Sequence, residues 1–144
     1  TLLLARLHNR LITISGPIYY DKHPKTGLIL CFFSTYYYFC AMKLIEMNMD
    51  KIITLCRKYR VAQLWVFGSI LTPRFNADSD VDFSVNFDDE SIRRDGLDWA
   101  DIFFDFIHEL ESLLGRKIDM ICDDSVSNKY FRKELDATKQ LIYG

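Results

Sequence analysis

The sequence predicts an α/β (α+β) domain in which a small mixed β-sheet is flanked by helices. Between residues 47 and 144, segments of helical and strand periodicity follow one another in the order helix, strand, strand, helix, strand, helix. That order is typical of a sheet covered by helices. With 144 residues, of which 49% are hydrophobic and 26% charged, the chain has the length and composition of one globular domain.

The first three elements follow from their patterns. Residues 47–59 place apolar side chains at helical spacing, with an acid early and basic residues late, as the helix dipole favours. Residues 61–67 (VAQLWVF) are rich in β-branched and aromatic residues and predict a strand. Residues 70–71 predict a short helical turn, and residues 81–87 (VDFSVNF) alternate as a second strand.

The second half of the chain predicts a helix, a strand and a further helix. Residues 88–96 are strongly charged and predict a solvated loop, and residues 118–122 predict a third strand. Residues 128–138 predict the final helix, while residues 141–143 are either an edge strand or a tail. The strongest helix spans residues 97–114, and its apolar stripe is predicted to comprise Leu97, Ala100, Phe103, Phe104, Ile107, Leu110 and Leu114.

Two acids stand at the start of the second strand, close in sequence to a Gly-Ser turn. Residues i and i+2 of a strand point to the same face, about 7 Å apart at the backbone, so Asp80 and Asp82 converge. Gly68 allows close approach of the backbone to a phosphate, and the Ser69 hydroxyl can bond to phosphate oxygens. The combination suits divalent metal ions that hold a phosphorylated substrate.

Asp119 is a third candidate, because it is a lone acid within an apolar strand. Three carboxylates at one place stay ionised only around cations. Two Mg²⁺ ions about 4 Å apart would serve, and they would bridge the oxygens of a nucleoside triphosphate. In such a site Asp80 and Asp82 ligate both ions, while Asp119 holds the catalytic ion and accepts the proton of the attacking hydroxyl.

The order of these motifs resembles that of the nucleotidyltransferase (DNA polymerase beta) superfamily. The resemblance rests on Phe67-Gly68-Ser69, on residues 79–83 (SDVDF) and on residues 117–120 (KIDM). The brevity of residues 47–144 is similar to that of the minimal nucleotidyltransferases. The resemblance implies a polymerase beta-like fold and Mg²⁺-dependent transfer of AMP from ATP, with Asp80, Asp82 and Asp119 in the three acid positions.

The resemblance also implies a partner. Many minimal members act as antitoxins that adenylylate a tyrosine of a HEPN-domain ribonuclease toxin. Many relatives carry Ala-Arg-Gly shortly after the Gly-Ser turn, whereas this chain reads Ile70-Leu71-Thr72-Pro73-Arg74, so Arg74 is the candidate phosphate contact. Two alternatives remain open: an antitoxin that neutralises its partner by binding alone, and transfer to a small molecule. Association with a partner chain or a second copy is also left open.

The charge distribution indicates which ligands the chain could bind. The net charge is −2, so direct binding of nucleic acid is not expected. Residues 47–144 carry thirteen basic against eighteen acidic residues, so a nucleotide would be held there through metal ions. The four cysteines show no C-x-x-C pair and no zinc-type spacing with histidine, which favours reduced thiols in a cytoplasmic protein over the alternative of disulfides.

Residues 1–46 are predicted to form an N-terminal extension, and residues 47–144 the nucleotidyltransferase domain. A membrane helix needs about 20 predominantly apolar residues. The uncharged, aromatic run 26–42 has seventeen, with several Tyr, Ser and Thr among them. Three interpretations of this extension remain. We favour the one in which residues 1–46 lie upstream of the natural start. A β-rich extension is the second, and a membrane anchor is the last. No membrane association is expected.

Overall fold

Four strands form one mixed sheet in the computed structural model, which describes residues 42–144. They are β1 (Val61–Phe67), β2 (Val81–Phe87), β3 (Ile118–Cys122) and β4 (Gln140–Tyr143). Their order across the sheet is β3-β2-β1-β4. β1 runs antiparallel to β2 and β4, whereas β2 and β3 are parallel. The predicted mixed sheet is confirmed, and the last residues form an edge strand rather than a tail.

The helices that accompany these strands include the three that the periodicity predicts. They are α1 (Met49–Lys58), α2 (Asp89–Arg94), α3 (Trp99–Leu114) and α4 (Lys129–Thr138). Short 3₁₀ turns follow β1 at Gly68–Leu71 and β3 at Asp123–Ser125. The α3 helix ends at Gly115, which caps it in the left-handed conformation with φ 63°.

One face of the sheet forms the main core. Alternation along β2 turns Val81, Phe83 and Val85 to this face, and all three are fully buried. Helix α1 packs on β1 and on α3, and α3 also packs on β3. The Phe106 ring of α3 is fully buried there. Burial of these side chains removes apolar surface from water and fixes which face of β2 remains for polar residues.

The opposite face is covered in part by α4. Leu135 of α4 is buried, and the Phe131 ring meets the Phe67 ring edge to face, with centroids 6.3 Å apart. Lys139, which follows α4, places its ammonium 4.4 Å from the centre of the Trp65 ring. Helix α4 therefore lies over β1 on the face to which the even-numbered residues of β2 point.

The charged segment 88–96 differs from its prediction, because it contains helix α2 rather than only a loop. Asp88 caps this helix by accepting hydrogen bonds from the Ser91 N–H at 3.0 Å and the Ser91 hydroxyl at 2.6 Å. Acids lie in its first turn and arginines in its last, and Ile92 is buried. Local capping and one apolar anchor are enough to order six residues.

The predicted apolar stripe of α3 is wrong for three of its seven members and correct for the four that lie in or pack against the main core: Phe103, Ile107, Leu110 and Leu114. Leu110 and Leu114 are buried, but Leu97 and Phe104 are 41% and 57% exposed. The core instead receives Ile102 and Phe106. The sequence places apolar residues on both sides of this helix, so periodicity alone did not identify the side that faces the sheet.

The main core extends upstream of the predicted domain start. Residues 42–47 are helical, and Ile45 is fully buried in the main core. The boundary predicted between residues 46 and 47 stays a prediction, since the other side of it lies largely outside the described residues, as does nearly all of the aromatic run 26–42. Within residues 42–144, no helix is both long and apolar enough to cross a membrane.

Candidate active site

The sheet register places two of the three predicted acids side by side. Asp82 of β2 pairs with Asp119 of the parallel strand β3, and on its other side with Phe67 of β1. Paired residues of neighbouring strands send their side chains to the same face. Asp80 lies directly before β2 and is exposed, two residues from Asp82. The three acids therefore gather at one end of the sheet, on the face that α4 partly covers.

The turn after β1 lies directly against Asp82. Gly68 begins the 3₁₀ turn with φ +74°, a conformation that favours glycine. A Cβ atom at this position would lie 2.9 Å from Cγ of Asp82 and closer still to its Oδ2. Glycine is required here for two reasons: the positive φ of the backbone and the close approach of the Asp82 carboxylate.

The surroundings of Asp82 raise the pKa of its carboxyl above the ordinary value. Partial burial raises the pKa of the Asp82 carboxyl, a hydrogen bond from the Ser69 N–H acts in the opposite direction, and the charges of Asp119 and Asp80 raise the pKa further. The three carboxylates thus repel one another at this end of the sheet. A cation between them would relieve that repulsion.

Ser69 and Arg74 occupy different environments. Ser69 is half-buried, and its carbonyl accepts hydrogen bonds from the N–H and the hydroxyl of Thr72, both at 2.9 Å, which closes the turn. Its own N–H is directed to Asp82. Arg74 is exposed on the segment between the 3₁₀ turn and β2. The assignment of a phosphate contact to Arg74 therefore stays a prediction.

A residue that sequence reasoning passed over holds the segment before Asp80. The Arg116 guanidinium donates to the backbone carbonyls of Asn76 at 2.8 Å, of Ala77, and of Ser79 at 3.3 Å. It also lies 5.3 Å from the centre of the Phe75 ring. One side chain from the loop before β3 thereby fixes the loop before β2, and with it the position of Asp80.

A cleft of about 430 Å³ opens beside this tether, between residues 77–80 and residues 115–117. Within the part of the chain that the structure describes, no three His, Cys, Asp or Glu side chains are already close enough together to hold a metal ion. The donor set nevertheless suits Mg²⁺, because Asp80, Asp82 and Asp119 offer carboxylate oxygens, the ligands that this ion prefers. The register that pairs Asp82, two residues from Asp80, with Asp119 favours a cation here, because like charges at one place repel one another.

A second charged group, also not predicted, fixes α4 to the sheet. Asp123 is 6% exposed and accepts hydrogen bonds from the Ser84 hydroxyl at 2.7 Å, from Lys139 at 2.7 Å and from Arg132 at 2.8 Å. Burial raises its pKa, but the bonds from Lys139, Arg132 and Ser84 outweigh burial and lower the pKa to about 2. The only sequence signal was an acid directly after an apolar strand.

Comparison with solved structures supports the fold. A structure described as that of a minimal nucleotidyltransferase superposes with a TM-score of 0.54 at 20% identity, over 68% of this chain and 92% of the other. A crystal structure of a toxin–antitoxin with AMP-PNP gives a TM-score of 0.52 at 22% identity, over 67% of this chain and 73% of the other. The fold is that of a minimal nucleotidyltransferase.

Sequence comparison supports the same class. Residues 50–144 match the family model described as polymerase beta, nucleotidyltransferase. The protein MJ1379 of Methanocaldococcus jannaschii, named provisionally as a protein adenylyltransferase, is 31% identical over 86 residues, which are 60% of this chain and 79% of that protein. The chain belongs to the polymerase beta nucleotidyltransferase family, and the predicted resemblance is confirmed.

Proposed function

We propose that this nucleotidyltransferase transfers AMP from ATP to a hydroxyl of a partner protein, with Mg²⁺ held by Asp80, Asp82 and Asp119. The observation that supports it best is the register that pairs Asp82 with Asp119 next to the Gly68 turn. The relative MJ1379 carries the name of a protein adenylyltransferase, which favours a protein acceptor over a small molecule.

Each residue has a role in the proposed reaction. The Gly68–Ser69 turn holds the triphosphate, since its backbone approaches closely and the Ser69 hydroxyl can donate to a phosphate oxygen. Bound Mg²⁺ would neutralise the charge of the phosphates and of the acids. The acceptor oxygen attacks the α-phosphorus, the bond to the β-phosphate oxygen breaks, and pyrophosphate leaves. Asp119 accepts the proton that the acceptor hydroxyl loses.

The partner we propose is a HEPN-type toxin, whose tyrosine receives the AMP, so that this chain acts as its antitoxin. The family resemblance of the motifs implies such a partner, and a toxin–antitoxin crystallised with AMP-PNP shares the fold. Asp80 and Asp119 are both exposed, which would leave room for a large acceptor.

Transfer of label from α-labelled ATP to a co-expressed partner tests this function. We expect Mg²⁺-dependent labelling by the wild type and none by the variant Asp80→Asn plus Asp82→Asn, because both ligands lose their charge. Asp78→Asn is the control, since it removes an exposed acid from the same loop. Equal labelling by the double variant would refute the metal site. A wild type that never labels, yet silences its partner, would favour an antitoxin that acts by binding alone.

A further inference from the structure

Aromatic side chains lie next to the acids on the same face of the sheet. Phe67 is the last residue of β1, directly before Gly68, and it pairs across the strands with Asp82. Its ring meets that of Phe131 on α4 edge to face, at 6.3 Å between centroids and 70° between planes. Phe67 and Phe131 thus form an aromatic wall on the β1 side of the acids.

This wall remains accessible. Phe131 is 39% exposed, and its neighbour Tyr130 is 89% exposed, the highest value among the exposed large hydrophobic side chains of residues 42–144. An edge-to-face contact with Phe67 leaves part of the Phe131 ring open to a planar ligand. Exposed aromatic rings beside a polar site bind planar groups well, because stacking removes apolar surface from water without costing a hydrogen bond.

The start of α4 is held firmly, so the wall has a defined position. The Asn128 side chain accepts hydrogen bonds from the N–H groups of Tyr130 at 3.0 Å and Phe131 at 3.1 Å. One residue further on, Arg132 donates to the buried carboxylate of Asp123 at 2.8 Å. Leu135, on the next turn, is 1% exposed. These anchors fix the aromatic rings relative to the sheet that carries the acids.

We propose that Phe131, supported by Phe67 and flanked by Tyr130, stacks against the base of the nucleotide whose phosphates lie at Gly68 and Ser69. This assignment rests on the proposed function and adds a base subsite to it. In a nucleotide the base is separated from the phosphates by the ribose. The Phe67 ring lies one residue before the phosphate turn, and the Phe131 ring is set back from that turn on α4. Phe131 is therefore positioned to meet the base while the phosphates stay near the acids.

Binding of ATP and of inorganic tripolyphosphate, each with Mg²⁺, tests the subsite in the full chain by titration calorimetry. We expect Phe131→Leu to raise the Kd for ATP about tenfold, since one stacking contact is lost. The Kd for tripolyphosphate, which has no base, should not change. Phe131→Tyr keeps the ring and should keep the ATP affinity. Phe104→Leu is the matched control, because Phe104 is an exposed aromatic of α3, a helix that packs in the main core on the other face of the sheet.

The possible negative results of these titrations overturn different claims. Unchanged ATP affinity in Phe131→Leu would overturn the base subsite alone. Equal loss of ATP and tripolyphosphate affinity would also overturn it, because the substitution would then act by displacing α4. Unchanged ATP affinity with loss of transfer to the partner would assign Phe131 to the acceptor protein instead. A wild type that binds neither probe would overturn the proposed function itself.

Discussion

Gly68 and Asp82 are in such close contact that any side chain at position 68 would collide with the carboxylate. A Cβ atom on Gly68 would lie 2.9 Å from Cγ and 3.3 Å from Cβ of Asp82. Glycine at position 68 therefore allows the turn after β1 to lie against the Asp82 carboxylate of the neighbouring strand. This contact joins the two halves of the proposed site, the phosphate turn and the metal ligands.

Replacement of this glycine should disrupt the site more than it disrupts the fold. Gly68→Ala adds strain from the positive φ, about 1 kcal/mol, and also displaces the Asp82 side chain. We expect loss of Mg²⁺–ATP binding, measured by calorimetry. Gly96→Ala is the control, because Gly96 has φ +66° and no atom within 4 Å of an added Cβ. Comparable loss of binding in both variants would show that backbone strain, not the collision, is responsible.

The tether made by Arg116 gives a second prediction. Arg116→Ala removes hydrogen bonds to three carbonyls before Asp80, so we expect a loss of stability of about 1–2 kcal/mol and weaker Mg²⁺–ATP binding. Lys117→Ala is the control. It removes one positive charge from the exposed residue next to Arg116, and it should lower stability and Mg²⁺–ATP affinity less than Arg116→Ala does. Denaturant titration and calorimetry measure both. Equal effects of the two substitutions would mean that only local charge matters.

The Asp123 group predicts how stability depends on pH. Its pKa is about 2 in the folded protein and 3.8 ordinarily. A lowered folded-state pKa contributes stability above the ordinary pKa, and this contribution is lost as pH falls from about 4 to about 2. The corresponding free energy is about 2 kcal/mol. Asp123→Asn should therefore be less stable at neutral pH and should show a flatter decline between pH 4 and 2.

Denaturant titration over that pH range checks this, with Asp124→Asn as the control. Asp124 is the exposed neighbour of Asp123, and its carboxylate accepts one hydrogen bond from Asn86 at 3.3 Å. The control should keep the pH dependence of the wild type. If Asp123→Asn declines as steeply as the wild type, then other carboxylates determine the acid sensitivity.

Ile45 tests where the domain begins. It is fully buried in the main core, upstream of the predicted boundary at residue 47. Ile45→Ala should cost about 2–5 kcal/mol, as for other large-to-small core substitutions. Glu46→Ala, at the exposed next position, should cost little. Thermal unfolding of the full chain measures both. A variant Ile45→Ala as stable as the wild type would support a domain that begins at residue 47.

The elements of the fold could be predicted because their signals are local. The strands 61–67 and 81–87 follow from residue type and periodicity, and their bounds agree with the structure. The short helical turn predicted at residues 70–71 begins two residues earlier, at Gly68. Helix α2 was missed, because a six-residue segment with four charged residues and one apolar residue carries little apolar periodicity and depends on the Asp88 cap. The exposure of Phe104 was missed as well, since the side of α3 that faces the sheet is decided by packing.

The site could be predicted in part. Asp80 and Asp82 were identifiable from their spacing, and Asp119 from its place in an apolar strand. The pairing of Asp119 with Asp82 requires β3 to lie beside β2 in the sheet. Helix α3 separates the two strands in sequence, so no local pattern determines this pairing. Arg116 and Asp123 act through partners about 40 residues away in sequence, Arg116 through residues 76–79 and Asp123 through Ser84, so their roles emerged only from the structure.

Counting bound metal ions tests the central claim most directly. Electron paramagnetic resonance of Mn²⁺ added with a non-hydrolysable ATP analogue measures how many ions each chain binds. We predict two coupled ions about 4 Å apart for the wild type, their loss in Asp82→Asn and Asp119→Asn, and no change in Asp78→Asn. Occupancy and coupling in Asp82→Asn equal to those of the wild type would contradict the assignment of the three acids.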